Sequence, residues 1–151
     1  NNSNPLEAFR AINLYGTANL ARQAALAGVK RLVYVSSVKV NGEETQDGQP
    51  YTEVSESLPK DAYGTSKWEA EQALHEIANE TGLEVVIIRP PLVYGAGVKG
   101  NFAQMMSVIS RGIPLPLARI NNKRSLLNVK NLADAILLCA THPAATGNTY
   151  L

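Results

Sequence analysis

The chain has 151 residues, 45% of them apolar and 18% charged, with a formal net charge of +1. That is enough for one domain with its own core, and a charge so close to zero leaves no footprint for nucleic acid or an anionic membrane. One cysteine and two histidines exclude a disulfide framework or a metal cluster and fit a cytoplasmic location, and no apolar run approaches the ~18 residues of a membrane span.

Asn4 with Pro5 predicts a helix start: a capping side chain, then a residue with preset φ in the first turn. Apolar residues at helical spacing run from Leu6 to Leu26, and Gly28 is a natural stop. Inside this helix Asn13-Leu14-Tyr15-Gly16-Thr17 sets a polar residue into an apolar stripe. Asn13 is either a satisfied core amide or a functional group.

The run Arg31-Leu32-Val33-Tyr34-Val35-Ser36-Ser37 predicts a strand over 31–36. A continuous apolar run reads as a strand buried on both faces, as in a parallel sheet. In open α/β sheets ligands sit beyond the carboxyl ends of the strands. Ser36 and Ser37 lie at that end. A serine there either donates a hydrogen bond to a substrate oxygen or simply stops the strand. Lys39 to Lys60 is a polar loop with Asn41-Gly42, Asp47-Gly48 and two prolines. Loops this long in a compact domain are usually functional, and this one can wall a ligand site.

A helix is predicted over Asp61–Thr81, closed by Gly82. It carries Tyr63-Gly64-Thr65-Ser66-Lys67 at its start. Four residues are slightly more than one turn, so Tyr63 and Lys67 project from one face. An unperturbed tyrosine titrates near pH ~10. An ammonium one turn away favours the phenolate and lowers that pKa. A tyrosine thus poised can take a proton from a hydroxyl or return one to a carbonyl. The plainer alternative is a solvated lysine and a half-buried tyrosine at chance spacing.

Strand Leu83–Ile88 follows and breaks at Arg89-Pro90-Pro91-Leu92-Val93-Tyr94-Gly95. Helices alternating with strands predict a parallel α/β sheet. Gly95 to Gly100 is glycine-rich, but its order is not that of a phosphate-binding P-loop. A helix is predicted from Asn101 to Ser110. Arg111 to Leu117, with Pro114 and Pro116, suits irregular strands of a small cap. Asn121-Asn122 marks a turn, Ser125–Leu127 a short strand, Asn131 an N-cap and Leu132–Thr141 an apolar helix. Asn148 to Leu151 reads like the middle of a strand.

Three of these features occur in a telling order: Ser36-Ser37 after a strand, then Tyr63-x-x-x-Lys67, then the Arg89-Pro90-Pro91-Leu92-Val93-Tyr94-Gly95 turn. Together they resemble the extended short-chain dehydrogenase/reductase family, and within it the NAD-dependent nucleotide-sugar epimerases and dehydratases of UDP-glucose 4-epimerase type. The resemblance runs from Asn13 to the last residue. It implies a Rossmann-like doubly wound parallel sheet. Residues 1–95 would be the central and second part of the NAD(P)-binding domain, and 96–151 the start of a nucleotide-sugar region interleaved with it.

The resemblance also implies roles. Tyr63 removes the proton of a C4 hydroxyl while hydride goes to NAD, and the 4-keto sugar turns before hydride returns to its other face. Ser37 steadies the oxygen at C4. Lys67 lowers the Tyr63 pKa and holds the nicotinamide ribose. Pro90 packs near the nicotinamide, with Ser36 and Asn13 on the same cofactor side. A UDP- or dTDP-hexose would be gripped through Arg124, a guanidinium suited to a diphosphate, through the helix start at Asn101-Phe102, and through Lys99. Ser125 and Asn128 stand where the family's pattern after that arginine has an aspartate and a histidine. Leu115 to Leu117 resembles the strand flanking the base. A homodimer through the helices around 4–27 and 61–81 is implied.

Other readings share this frame. An NADPH-dependent 4-keto-sugar reductase uses the same triad, and a non-catalytic dinucleotide-binding protein the same fold. A dehydratase needs an Asp-Glu pair beside the tyrosine, where this chain has Asp61-Ala62. No strand, Gly-rich turn and helix precede Ser37, since Gly16 and Gly28 lie in and after a helix. The chain is therefore expected to be the middle of a longer protein, cut at both ends, with apolar faces exposed where the rest would pack.

Overall fold

The computed structural model describes residues 4–45, 48–97, 101–112 and 124–151, without the side chains of 101–103 and 105. In chain order come α1 (Pro5–Arg10), a π-helical segment (Ala11–Gly16), α2 (Thr17–Leu26), β1 (Arg31–Val35) and a 3-10 turn (Val38–Val40). Then follow α3 (Ala62–Thr81), β2 (Glu84–Ile88), β3 (Leu92–Tyr94), α4 (Asn101–Ser110) and β4 (Leu126–Asn128). α5 (Val129–Thr141), a second 3-10 turn (Pro143–Ala145) and β5 (Thr149–Tyr150) complete the order.

The termini of the long helices follow from local chemistry. Asn4 caps α1 by accepting from Glu7 N, with Pro5 in the first turn. α3 ends where Gly82 turns left-handed at φ 75° and donates its N–H to Ala78 O at 2.9 Å. The helix expected over 6–26 is helical throughout, but its middle, Ala11–Gly16, is π-helical, a feature often found at functional sites.

β1, β2 and β5 form a parallel sheet in the order β1-β2-β5. β1 and β2 pair from Arg31↔Glu84 to Val35↔Ile88, and β2 pairs with β5 at Ile87↔Thr149 and Ile88↔Tyr150. The central strand β2 is buried from Val85 to Ile88, whereas β1, an edge among the described residues, is mostly half-buried. Helices cover both faces. Ala21, Tyr34, Ala70, Leu74, Ile77, Val85 and Ile87 close the core under α2 and α3. Val86, Ile88, Cys139 and Ala145 close the other under α5, with Leu132 and Ile136 packed against them. This is the doubly wound arrangement expected from the sequence. β3 and β4 make a separate parallel pair, Leu92↔Leu126 to Tyr94↔Asn128.

Three local expectations shift. Ser36 falls just beyond β1, although its N–H still donates to Ile88 O at 2.7 Å, so the ladder outlasts the strand. β4 is Leu126–Asn128 and not 125–127. The cap of α5 is Asn128, whose Oδ1 accepts from Lys130 N at 2.9 Å, and not Asn131. Asn128 is extended, which lets it end the strand and cap the helix at once, while Asn131 lies inside the first turn. The Arg111–Leu117 stretch from residue 113 on, including Leu115 to Leu117, and the Asn121-Asn122 turn lie outside the described residues. Apolar side chains stand exposed on α2 and α5, among them Leu26, Leu137 and Leu138. Among the described residues no helix is long and apolar enough to cross a membrane, and no group of side chains could hold a metal ion.

Candidate active site

The start of α3 is built around Asp61. Its Oδ1 accepts from Gly64 N at 2.6 Å, and its backbone oxygen accepts from Thr65 N and Thr65 Oγ1, each at 2.9 Å. A carboxylate at this N-cap also meets the positive end of the helix dipole. Lys67, about one turn further along α3, reaches the carboxyl end of β1. Lys67 Nζ donates to Val35 O at 3.0 Å. The same ammonium lies 4.7 Å from the Tyr34 ring centroid and 5.9 Å from that of Tyr63. The edge of Phe9 meets the Tyr63 ring with centroids 5.6 Å apart and planes at 73°.

Ser37 caps the 3-10 turn, its Oγ accepting from Lys39 N at 3.3 Å. Next to it, Val38 N donates to Pro90 O at 3.1 Å, so Pro90 is held against the serine turn. Ser36 Oγ is buried without a hydrogen-bond partner among the described residues. The π-helical Asn13 is linked to the tyrosine through a relay: Asn13 Nδ2 donates to Ser66 Oγ at 2.9 Å, and Ser66 Oγ donates to Tyr63 O at 2.8 Å. Two linked groups result: Asn13 with Tyr63 through Ser66 on the helix side, and Ser37 beside Pro90 just beyond β1, where Lys67 bonds Val35 O.

The expected substrate residues belong to other elements. Arg124 is exposed, two positions ahead of β4, and Asn101 and Phe102 open α4. The side chains of Asn101 and Phe102, and the whole of Lys99, lie outside the described residues.

The electrostatics correct one expectation. Burial pushes the Tyr63 phenol above its ordinary value of 10.0; the Asp61 charge adds to this and Lys39 opposes it. Burial likewise lowers Lys67, against the opposing charge of Glu71. The phenol is therefore raised, and not lowered as expected, despite the nearby Lys67. Its ammonium spends a hydrogen bond on Val35 O and lies toward the ring face, and half-burial of the phenol outweighs it. Burial also raises Tyr34, with the Thr17 side chain opposing.

Sequence reading missed a buried ion pair behind the site. Arg89 Nη2 meets Glu71 Oε2 at 2.6 Å, and Arg89 Nε reaches both carboxylate oxygens at 3.1 and 3.2 Å. Its Nη1 donates to Asn41 Oδ1 at 3.3 Å and its Nη2 to Ser57 Oγ at 3.4 Å. One guanidinium thereby joins the end of β2, helix α3 and the long loop, just before Pro90. A signal was present: Glu71 shares the inner face of α3 with Lys67 and Leu74, at spacings of four and three.

A parallel doubly wound sheet with helices on both faces defines the class: a dinucleotide-type α/β fold. The chain belongs to the NAD dependent epimerase/dehydratase family, whose model matches residues 1–151. Over 148 residues it is 50% identical to a UDP-glucose 4-epimerase of Vibrio cholerae, a match covering 97% of this chain and 45% of that protein. Its fold resembles a dTDP-glucose 4,6-dehydratase of Streptomyces venezuelae solved with NAD, with TM-score 0.81, 26% identity and coverage of 97% and 45%. It likewise resembles the UDP-glucose 4-epimerase of Thermotoga maritima solved with UDP-glucose, at TM-score 0.82 and 23% identity, covering 96% and 48%. The chain thus spans about half the length of the proteins it matches.

Proposed function

We propose that this chain supplies the acid–base residues, and part of the sugar-nucleotide site, of an NAD-dependent epimerase acting at C4 of a UDP-hexose. The observation that carries the reading is the bond from Lys67 Nζ to Val35 O, two residues before Ser37, with Tyr63 one turn away on the same helix, in a chain half identical to a UDP-glucose 4-epimerase. A dehydratase is disfavoured because Asp61-Ala62 stands where it needs an Asp-Glu pair, and Asp61 is engaged by Gly64 N and Lys39 as a helix cap.

NAD fits this end of the sheet. Ser36 Oγ is buried without a hydrogen-bond partner among the described residues, which fits a polar group that a ligand would satisfy. Lys67 has donated one N–H to Val35 O, and two remain for ribose hydroxyls. When bound, NAD supplies reversible hydride acceptance from a sugar carbon. The chain's own residues handle the proton. Ser37 Oγ accepts from Lys39 N, which leaves its hydroxyl proton to donate to the oxygen at C4. Tyr63 is a neutral phenol at pH 7, as an ordinary tyrosine is, and burial shifts it further that way, so it is ready to return a proton to a ketone oxygen. To act as a base it needs more positive charge nearby than the described residues provide, and the oxidised nicotinamide is a cation.

Residues 1–95 would hold the cofactor side and 96–151 the nucleotide-sugar side. Arg124, Lys99 and the α4 start at Asn101-Phe102 would take the diphosphate. A homodimer would form through the helices around 4–27 and 61–81. In the native enzyme, Tyr63→Phe should lower turnover about 10²–10⁴-fold, the scale of a general acid–base group, with an unchanged circular-dichroism spectrum. Near-normal turnover in that variant would overturn the reading.

A further inference from the structure

One residue outside the triad, Lys39, bonds both to Ser37 and to Asp61, the residue that caps the helix carrying Tyr63 and Lys67. The backbone N–H of Lys39 donates to Ser37 Oγ at 3.3 Å. Its backbone oxygen lies so close to the first turn of α3 that a Cβ built on Gly64 would come within 2.8 Å of it. Its ammonium meets Asp61 Oδ2, the carboxylate that caps the Tyr63 helix, and Glu43 Oε1 at 3.0 Å. The side chains of Lys39 and Asp61 are 41% and 38% exposed, so solvent screens the pair and its net stabilisation is small. Its consequence is local. The titratable and charged groups facing Tyr63 are Asp61 and Lys67 on its own helix, Lys39 on the 3-10 turn and Tyr34 on β1.

We propose that Lys39 is a positioning residue. Its backbone N–H holds the Ser37 hydroxyl while its carbonyl packs on the bare Gly64 turn, and its ammonium pairs with the Asp61 carboxylate and offsets part of that charge's field at Tyr63. The Asp61 charge raises the phenol pKa and the Lys39 charge lowers it, in accord with this geometry. The inference rests on the proposed acid–base role of Tyr63, yet ionisation of Tyr63 is measured without substrate or turnover, so the two can fail separately.

The native enzyme is made with tyrosine labelled at Cζ, and Tyr63 is assigned by its loss in Tyr63→Phe. The phenolate fraction of Tyr63 is then followed by NMR at a fixed alkaline pH below the onset of unfolding. Lys39→Met should lower that fraction, and Lys39→Arg should match the unsubstituted chain. Asp61→Ser, which keeps a capping hydroxyl but removes the charge, should raise it. At 1 M salt, where the Debye length is ~3 Å, these differences should shrink. A Tyr63 titration unmoved by Lys39→Met would overturn the proposal. So would an unmoved or lowered fraction in Asp61→Ser, which decides the matter even if Lys39→Met fails to fold.

Discussion

Replacing Arg89 by methionine is expected to remove about 3–5 kcal/mol of folding stability, the cost of breaking a buried ion pair from one side. The magnitude follows from what is left behind. The Arg89 and Glu71 side chains are 8% and 1% exposed, so no water reaches in to replace the lost bonds. Glu71 loses contacts at 2.6, 3.1 and 3.2 Å, and Asn41 Oδ1 and Ser57 Oγ each lose a donor. Methionine refills part of the volume but none of the charge. Against the ~5–15 kcal/mol that usually holds a domain together, that is a large fraction. The paired variant Glu71→Leu with Arg89→Met should recover most of the loss, because neither charge then remains buried. Urea denaturation followed by Trp68 fluorescence reads this directly, since Trp68 is the single tryptophan and shares α3 with Glu71. A loss under ~1 kcal/mol in Arg89→Met would refute the argument that the pair is buried and pinned.

Asn128→Ala should cost about 1 kcal/mol through loss of the α5 cap, while Asn131→Ala should change stability by less than about 0.5 kcal/mol; thermal melts compare the two. On the acid side the sign is set by carboxylates held low. Burial acts to raise Asp61, but Lys39 and Gly64 N outweigh it and hold the group below its ordinary 3.8, and Arg10 holds Glu69 below 4.5. Groups depressed in the fold contribute stability above those ordinary values, and the contribution disappears as pH falls through their folded values. The melting temperature should therefore drop below pH 3.8, and drop less steeply in Asp61→Asn than in the unsubstituted chain.

What the sequence disclosed was the chemistry that acts within a few residues. Asn4-Pro5, Asp61 and Gly82 announce helix ends because each bonds to a backbone group three or four positions away. The apolar run at 31–35 announces a parallel strand because both its faces are covered. The order of Ser37, Tyr63 and Lys67 announced the family, now matched over the whole chain. Features that depend on distant partners stayed hidden. The π-helical turn at Asn13 faces Ser66, 53 positions away, and no local pattern marks it. The Tyr63 pKa turned on how deeply the fold buries the phenol, which spacing to Lys67 does not encode. Asn128 and Asn131 are both good caps, and only the end of β4 decides between them.

In the proposed epimerisation the hydrogen taken from C4 goes back to the same carbon, with Tyr63 moving the proton of the C4 oxygen. The native enzyme incubated with UDP-glucose carrying deuterium at C4 of the hexose tests it, with the products read by proton NMR and mass spectrometry. The account predicts UDP-galactose that keeps its deuterium at C4, formed about 10²–10⁴-fold more slowly by Tyr63→Phe. A product that loses the label to solvent, or no 4-epimer at all, would contradict it.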